Sequence, residues 1–262
     1  MLRALNTAAL GMTAQQQGVD NIANNLANAN TNGYKQSRLV FQDLLYQNVQ
    51  TSGPAETQGA TPPASLQVGH GATAIASVRN FEQGGLEKTG NVLDLAIQGN
   101  GFFQVRRPDG SVAYTRDGSF TLNAEGNLVT QTGLAVEPDI NIPPDATSVS
   151  ISQDGLVTAR FAGEPAPVEI GQMEIARFSN PAGLEPKGGN LFEQTQASGE
   201  PTIGTPGLDG LGAVRQGFLE SANVDVVQEM VDLISAQRAY EINSKMVTTT
   251  EEMLQVANNM KR

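Results

Sequence analysis

Cysteine and tryptophan are absent from this chain, and histidine occurs once. Without cysteine there is no disulfide framework, no thiolate zinc site and no cysteine nucleophile. A histidine-based triad or metal cluster has only His70 to draw on. Positive charge is also scarce: 16 Lys and Arg stand against 27 Asp and Glu, a formal net charge of −11. Nucleic acid is therefore not an expected partner, because phosphates need a basic face to neutralise them. No run approaches the ~20 apolar residues that span a bilayer, so membrane insertion is not expected either. The apolar start, Met1 to Gly11, is broken by Asn6 and Thr7, and Gln15-Gln16-Gln17 stands where a cleavage site would fall. Any export is expected to proceed without a cleaved signal peptide.

The charge is unevenly spread along the 262 residues. Residues 1–36 carry only Arg3, Asp20 and Lys35, whereas residues 80–219 hold 8 basic and 17 acidic groups. In the nearly uncharged first segment Leu5, Met12, Val19 and Leu26 recur every seven residues, and Ile22 broadens the stripe. Leu2, Ala9, Gln16 and Ala23 fill the complementary heptad position. This spacing predicts a helix from about Leu2 to Asn28, stopped by Thr31-Asn32-Gly33 with Gly33 left-handed. At the other end Val226, Leu233, Tyr240, Val247 and Leu254 are again seven apart, and Ala239, Met246, Met253 and Met260 widen the row. A second helix is predicted from Asp225 to Met260, with Asp225 and Gln228 as a capping box. Gln237, Ser244, Glu251 and Asn258 are polar where a strong coiled coil has leucine, and such seam positions fix register or partner number.

Between the helices the pattern is β. Pro108-Asp109-Gly110, Arg116-Asp117-Gly118 and Ala124-Glu125-Gly126 place glycines eight residues apart, each followed by a short alternating run, and Gln153-Asp154-Gly155 resumes the pattern. That predicts a meander of hairpins. The expected class is α+β: an antiparallel β-rich central domain with long N- and C-terminal helices forming a coiled-coil-like assembly domain. The expected divisions are residues 1–36 (first assembly helix), 37–79 (an extended segment and a long loop), 80–217 (β domain) and 218–262 (second assembly helix). Gly53-Pro54 and Pro62-Pro63 mark the stretch from Gln47 to Gly71 as loop.

Catalytic chemistry finds little to build on. His70 reads as a loop histidine. Asp109, Asp117, Glu125 and Asp154 could supply a carboxylate pair for glycoside hydrolysis, but each sits beside a turn glycine, where acids bond the local backbone. No nucleophile elbow is present, and Gly99-Asn100-Gly101 runs into the strand-like Phe102-Phe103-Gln104-Val105 instead of a phosphate-binding loop. No catalytic residue, cofactor or metal is therefore expected. The dense amides Asn21, Asn24, Asn25, Asn28, Asn30 and Asn32 are different. Asn is a mediocre helix former, so this density suggests a helix end whose amides bond between copies of the chain.

Asn21-Ile22-Ala23-Asn24-Asn25-Leu26-Ala27-Asn28-Ala29-Asn30-Thr31-Asn32-Gly33-Tyr34-Lys35 resembles the N-terminal signature of the bacterial flagellar rod and hook proteins, and Asn21, Asn24, Asn25, Asn28, Thr31, Gly33, Tyr34 and Lys35 carry the match. Asp94 to Phe103 is similar to the first core strand of that family's β domain, and Tyr114 to Phe120 to the hairpin after it. Gln237 to Lys245 is similar to its C-terminal helix signature. One β domain in a chain this long resembles a rod member more than a hook member, and Phe41 to Tyr46 with the following loop resembles the distal-rod branch. The proximal-rod branch is the nearest rival.

The resemblance implies a structural subunit of the flagellar basal body that polymerises with itself into a helical drive shaft. It implies neighbouring proximal rod and hook proteins, surrounding ring proteins and the flagellar export apparatus as partners. The expected seams are Leu5, Met12, Val19, Ile22 and Leu26 on the first helix, and Leu233, Tyr240, Met246, Val247, Met253 and Leu254 on the second. A secreted fibre or adhesin, which would share the helices and hairpins, and a polysaccharide-acting enzyme are the alternatives from other classes.

Overall fold

The computed structural model describes residues 2–50, 66–162 and 166–260. The chain divides into two compact units. The helical unit takes Met1–Leu26, Ser37–Val78 and Asp225–Arg262, and the β unit takes Ala27–Gln36 and Arg79–Val224. The class is α+β, with both long helices at the termini of an antiparallel β-rich centre.

In the helical unit α1 spans Leu2–Ala27 and α2 spans Val226–Asn259. The Asp225 carboxylate accepts from Val227 N at 2.9 Å and Gln228 N at 3.2 Å, satisfying two of the donors a helix start leaves unpaired. The 34 residues of α2 make a rod of about 51 Å at 1.5 Å per residue. Ser37–Asp43 pairs with Ala72–Arg79. The expected loop from Gln47 is paired at both ends: Gln47–Gln50 lies antiparallel to Leu66–Val68, with Gln47 opposite Val68. The Gly53-Pro54 and Pro62-Pro63 signals lie outside the described residues.

The β unit holds a nine-stranded antiparallel sheet. Its central strand, Phe102–Arg106, pairs with Val112–Thr115 on one side and with Ala135–Glu137 on the other, and Ile175–Arg177 also joins it. Alternation along this strand divides the core. Phe103 and Val105 pack with Leu95, Ile97, Val136 and Val157. Phe102 instead sits in a second cluster, edge to face with Phe178 and Phe192, and Tyr114 meets Phe178 in the same way. Three further strands, Ala146–Ile151, Leu156–Phe161 and Val168–Gln172, form a second sheet.

Two details differ from the sequence pattern. The segment from Asp94 to Phe103 is two strands, not one: Leu95–Gln98 pairs with Ala213–Gln216, and Phe102–Arg106 belongs to the large sheet. Close packing explains the break. A Cβ on Gly99 would stand 3.1 Å from Gly212 Cα, and one on Gly101 would stand 2.9 Å from Ile175 Cδ1. Likewise Arg116-Asp117-Gly118 does not turn a hairpin. Phe120–Leu122 lies at the far edge of the sheet from Val112–Thr115, because Leu95 N bonds Gly118 O and draws the connection away. The turns at Gly110 and Gly126 do close hairpins as expected.

Candidate assembly site

The helical unit leaves much of its apolar surface bare. The helices run antiparallel, with Asn25 bonded to Glu229 and Gly11 set against Asn243, four turns further along each helix. The face of α1 that is covered is made of small residues: Ala8 and Ala14 are buried, and a Cβ on Gly11 would stand 3.0 Å from Asn243 Nδ2. The expected row Leu5, Met12, Val19, Ile22 and Leu26 flanks that face and is half-buried. On α2, Leu233, Val247 and Leu254 are half-buried, whereas Tyr240, Met246 and Met253 are exposed.

A second apolar stripe on α2 escaped the seven-residue pattern. Val227, Met230, Val231, Ile234, Ile242 and Val256 are all exposed. At 100° per residue Val227, Val231, Ile234, Ile242 and Val256 fall on the side of the helix away from Leu233, Val247 and Leu254, with Met230 at the edge between the two. Only Glu229 and Ala236 are buried along the described length of α2. A helix apolar on two sides shows no single strong period, which is why a search for one stripe finds only one.

The amide cluster is used within the chain, not only at its surface. Asn25, 1 % exposed, donates to Ser37 O at 2.9 Å and to Glu229 Oε1 at 3.0 Å, and accepts from Ser37 N at 3.0 Å. Asn21 adds a second donation to Ser37 O at 2.7 Å, and Ser37 Oγ shares a 2.6 Å bond with Ser77 Oγ. Thr31 Oγ1 donates to Asn28 Oδ1, while Asn24 and Asn28 have further partners. These asparagines close a turn where the chain leaves α1 and returns as a strand. Asn21 and Asn25 thus find partners inside their own chain, in addition to any bonds expected between copies.

In the β unit the rest of the N-terminal signature is threaded into a buried ionic cluster. Gly33 is left-handed as expected, φ 68°, and a Cβ there would stand 2.6 Å from Asp117 N. Gly33 N donates to Glu220 O at 2.7 Å, Asn190 Nδ2 to Asn32 O, and Arg79 Nη1 to Lys35 O. Asn223 Oδ1 accepts from Gln36 N at 2.7 Å. Tyr34 is buried beneath the Arg79 guanidinium, 5.5 Å from its ring centre.

Lys35 and Glu220 side chains are both 0 % exposed and meet at 2.6 Å. Lys35 Nζ also donates to Glu82 O, and Gly84 N donates to Glu220 Oε1. Arg116 Nη1 approaches the other carboxylate oxygen at 3.3 Å. Burial pulls the Lys35 ammonium below its ordinary value, and Glu220 opposes that shift. Arg116 is pulled down by burial in the same way. Glu220 thus ties the N-terminal signature to the strand Phe218–Glu220, five residues before the cap of α2.

Two of the four candidate carboxylates, Asp109 and Asp117, bond the backbone and serine of their own turns. Asp109 accepts from Ser111 N and Oγ, and Asp117 accepts from Ser119 N and Oγ. Among the described residues no three His, Asp or Glu gather into a possible metal site, and His70 is half-buried. Among them, too, no helix is long and apolar enough to cross a membrane. Sequence reasoning missed Glu220, Glu229 and Arg116 as structural anchors. The available signal was weak: Glu220 follows the apolar pair Phe218-Leu219, and Glu229 stands beside Met230.

Comparison with known proteins assigns these parts. Residues 5–35 match the model of the flagella basal body rod protein family, and residues 215–260 match the C-terminal model of the flagellar basal body rod FlgEFG proteins. Residues 96–159 match the D1 domain of the flagellar hook protein FlgE/F/G group. The chain is 49% identical over 264 residues to the flagellar basal-body rod protein FlgG of Borreliella burgdorferi, covering 100% of both. It is 50% identical to that of Agrobacterium fabrum, over 99% of this chain and 100% of the relative. To the rod protein FlgF of Caulobacter vibrioides it is 36% identical, over 95% of this chain and 94% of the relative. With signature, β unit and both helices aligned end to end, the chain belongs to the family of bacterial flagellar basal-body rod proteins.

Proposed function

We propose that this chain is a structural subunit of the distal rod, polymerising into the tubular shaft that carries motor torque towards the hook. The observation that carries the reading is the bare apolar stripe of α2 in a chain that aligns end to end with rod proteins. As a member of that family it is a structural protein of the basal body and not an enzyme. Two half-covered helices gain their remaining burial from other subunits, so their ordering is coupled to assembly. Leu5, Met12, Val19, Ile22 and Leu26 form one seam. Leu233, Tyr240, Met246, Val247, Met253 and Leu254 form the other. A screw-related head-to-tail contact between such seams propagates an open filament.

Identity of 49–50% with FlgG relatives against 36% with an FlgF relative favours the distal over the proximal position. The proposed neighbours are the proximal rod proteins below, the hook protein above and the rings around the shaft. The flagellar export apparatus would deliver the chain to the growing tip. A role in stiffening the shaft is proposed for the stretch 47–71, of which residues 51–65 lie outside the described residues; shortening it should change rod curvature or length, and an unchanged straight rod would count against that role. The main test is electron microscopy of polymer grown from the purified chain. Leu26→Asp and Val247→Asp should each abolish polymer while the β unit keeps its melting transition. Normal filaments from both variants would refute the seams.

A further inference from the structure

The β unit contains a cleft of about 400 Å³ that no assembly helix lines. Phe81, Phe102 and Phe178 wall it, and two guanidiniums, Arg116 and Arg177, reach it. Arg116 is buried over the Phe102 ring at 5.2 Å. Its Nη2 donates to Gly99 O at 2.9 Å and its Nη1 meets Glu220, which leaves the buried Nε without an acceptor. Arg177 is half-buried, and among the described residues its guanidinium has no hydrogen-bond or ion-pair partner. Among the described residues no acidic side chain lines the cleft. Glu220, behind it, is already shared between Lys35 and Arg116. The cleft is therefore a cationic, partly dehydrated spot in a region with 8 basic and 17 acidic residues between positions 80 and 219.

We propose that this cleft receives an Asp or Glu side chain from a second copy of this chain, with Arg177 as the principal contact. The inference rests on the rod reading, which places copies of the chain side by side. Guanidinium is the side-chain group best matched to a carboxylate, because its planar donors engage both oxygens. Aromatic walls exclude water and weaken the screening that makes exposed ion pairs nearly worthless. The complementary partner is near at hand, since a copy of an acid-rich β unit brings carboxylates to almost any surface it touches. Among the described residues, no carboxylate of its own subunit pairs with that guanidinium.

The test uses the full chain and reads the critical concentration of polymer by sedimentation and electron microscopy. Arg177→Gln should raise it about tenfold or more, the scale of one hydrogen bond to a charged group. Arg177→Lys should recover part of the loss, and Arg177→Glu should prevent polymer. The melting temperature of the unpolymerised chain should stay unchanged in all three variants. Wild-type polymer alongside Arg177→Glu polymer at the same concentration overturns this inference alone. A wild-type chain that never polymerises overturns the rod reading, and this inference with it. Sodium acetate supplies the other arm, titrated into unpolymerised chain and followed by the Arg177 guanidinium signal in NMR. Acetate binding combined with normal assembly of Arg177→Gln would make the cleft a small-carboxylate site and overturn the second copy as its occupant.

Discussion

The β unit completes its own core, whereas the helical unit does not. Phe103, Ile97, Val105 and Ile175 are wholly enclosed by neighbouring strands. In α2, by contrast, the described residues with buried side chains are one acid and one alanine, and Val227, Met230, Val231, Ile234, Ile242, Met246, Met253 and Val256 are exposed. Burial of apolar surface is the main favourable term in folding, at roughly 25 cal/mol per Å². A unit that leaves such surface in water has postponed part of its stability. Each unit is also pinned by a different polar device, a dense ionic cluster in one and an amide network in the other.

That contrast can be broken at either device. The largest effect is expected from Glu220→Ala, which strands Lys35 and Arg116 in the interior; losing one partner of a buried pair costs about 3–5 kcal/mol. Thermal melting of the β unit should report it, and a β unit that melts as in the wild type would show the cluster to be dispensable. Asn25→Ala comes next. It removes the bonds to Ser37 and Glu229 and should cost about 1–3 kcal/mol, seen as earlier loss of helical circular dichroism with the β transition retained. Simultaneous loss of both transitions would mean the two units are not separable.

Met246→Lys should fall at the low end. The side chain is exposed, so unpolymerised chain should change by no more than about 0.5 kcal/mol. Polymerisation, in contrast, should fail, and sedimentation separates the two outcomes. The smallest effect concerns pH. Because the folded-state pKa of Lys35 lies below 10.5, the unfolded chain holds that proton more tightly. Unfolding takes up a proton between the two values, so stability rises with pH in that window. Lys35→Met should flatten the rise in denaturant titrations across alkaline pH; an identical slope in the variant would remove Lys35 as its source.

What the sequence made legible was local. The seven-residue rows located both helices, Asp225 announced the start of α2, and glycines beside acids marked the hairpins at Gly110 and Gly126. What it concealed was long-range. Asn25 finds Glu229 204 residues away, and Lys35 finds Glu220 185 residues away. No periodicity encodes such pairs, since each side chain looks like an ordinary surface polar residue within its own segment. The misplaced edge strand Phe120–Leu122 has the same origin. Its neighbour in sequence is a plausible hairpin partner, and only the contact of Gly118 with Leu95 decides against it.

The register between α1 and α2 acts as a ruler. Asn25 meets Glu229 and Gly11 meets Asn243 with equal spacing on both helices. Extending that count sets Leu2 opposite Glu252, so the last two turns of α2 project past α1 like the tongue of a lap joint. Met253 and Val256 sit on that tongue, exposed. Lengthening or trimming α2 by one turn would then change the reach of the joint without touching either pinned pair.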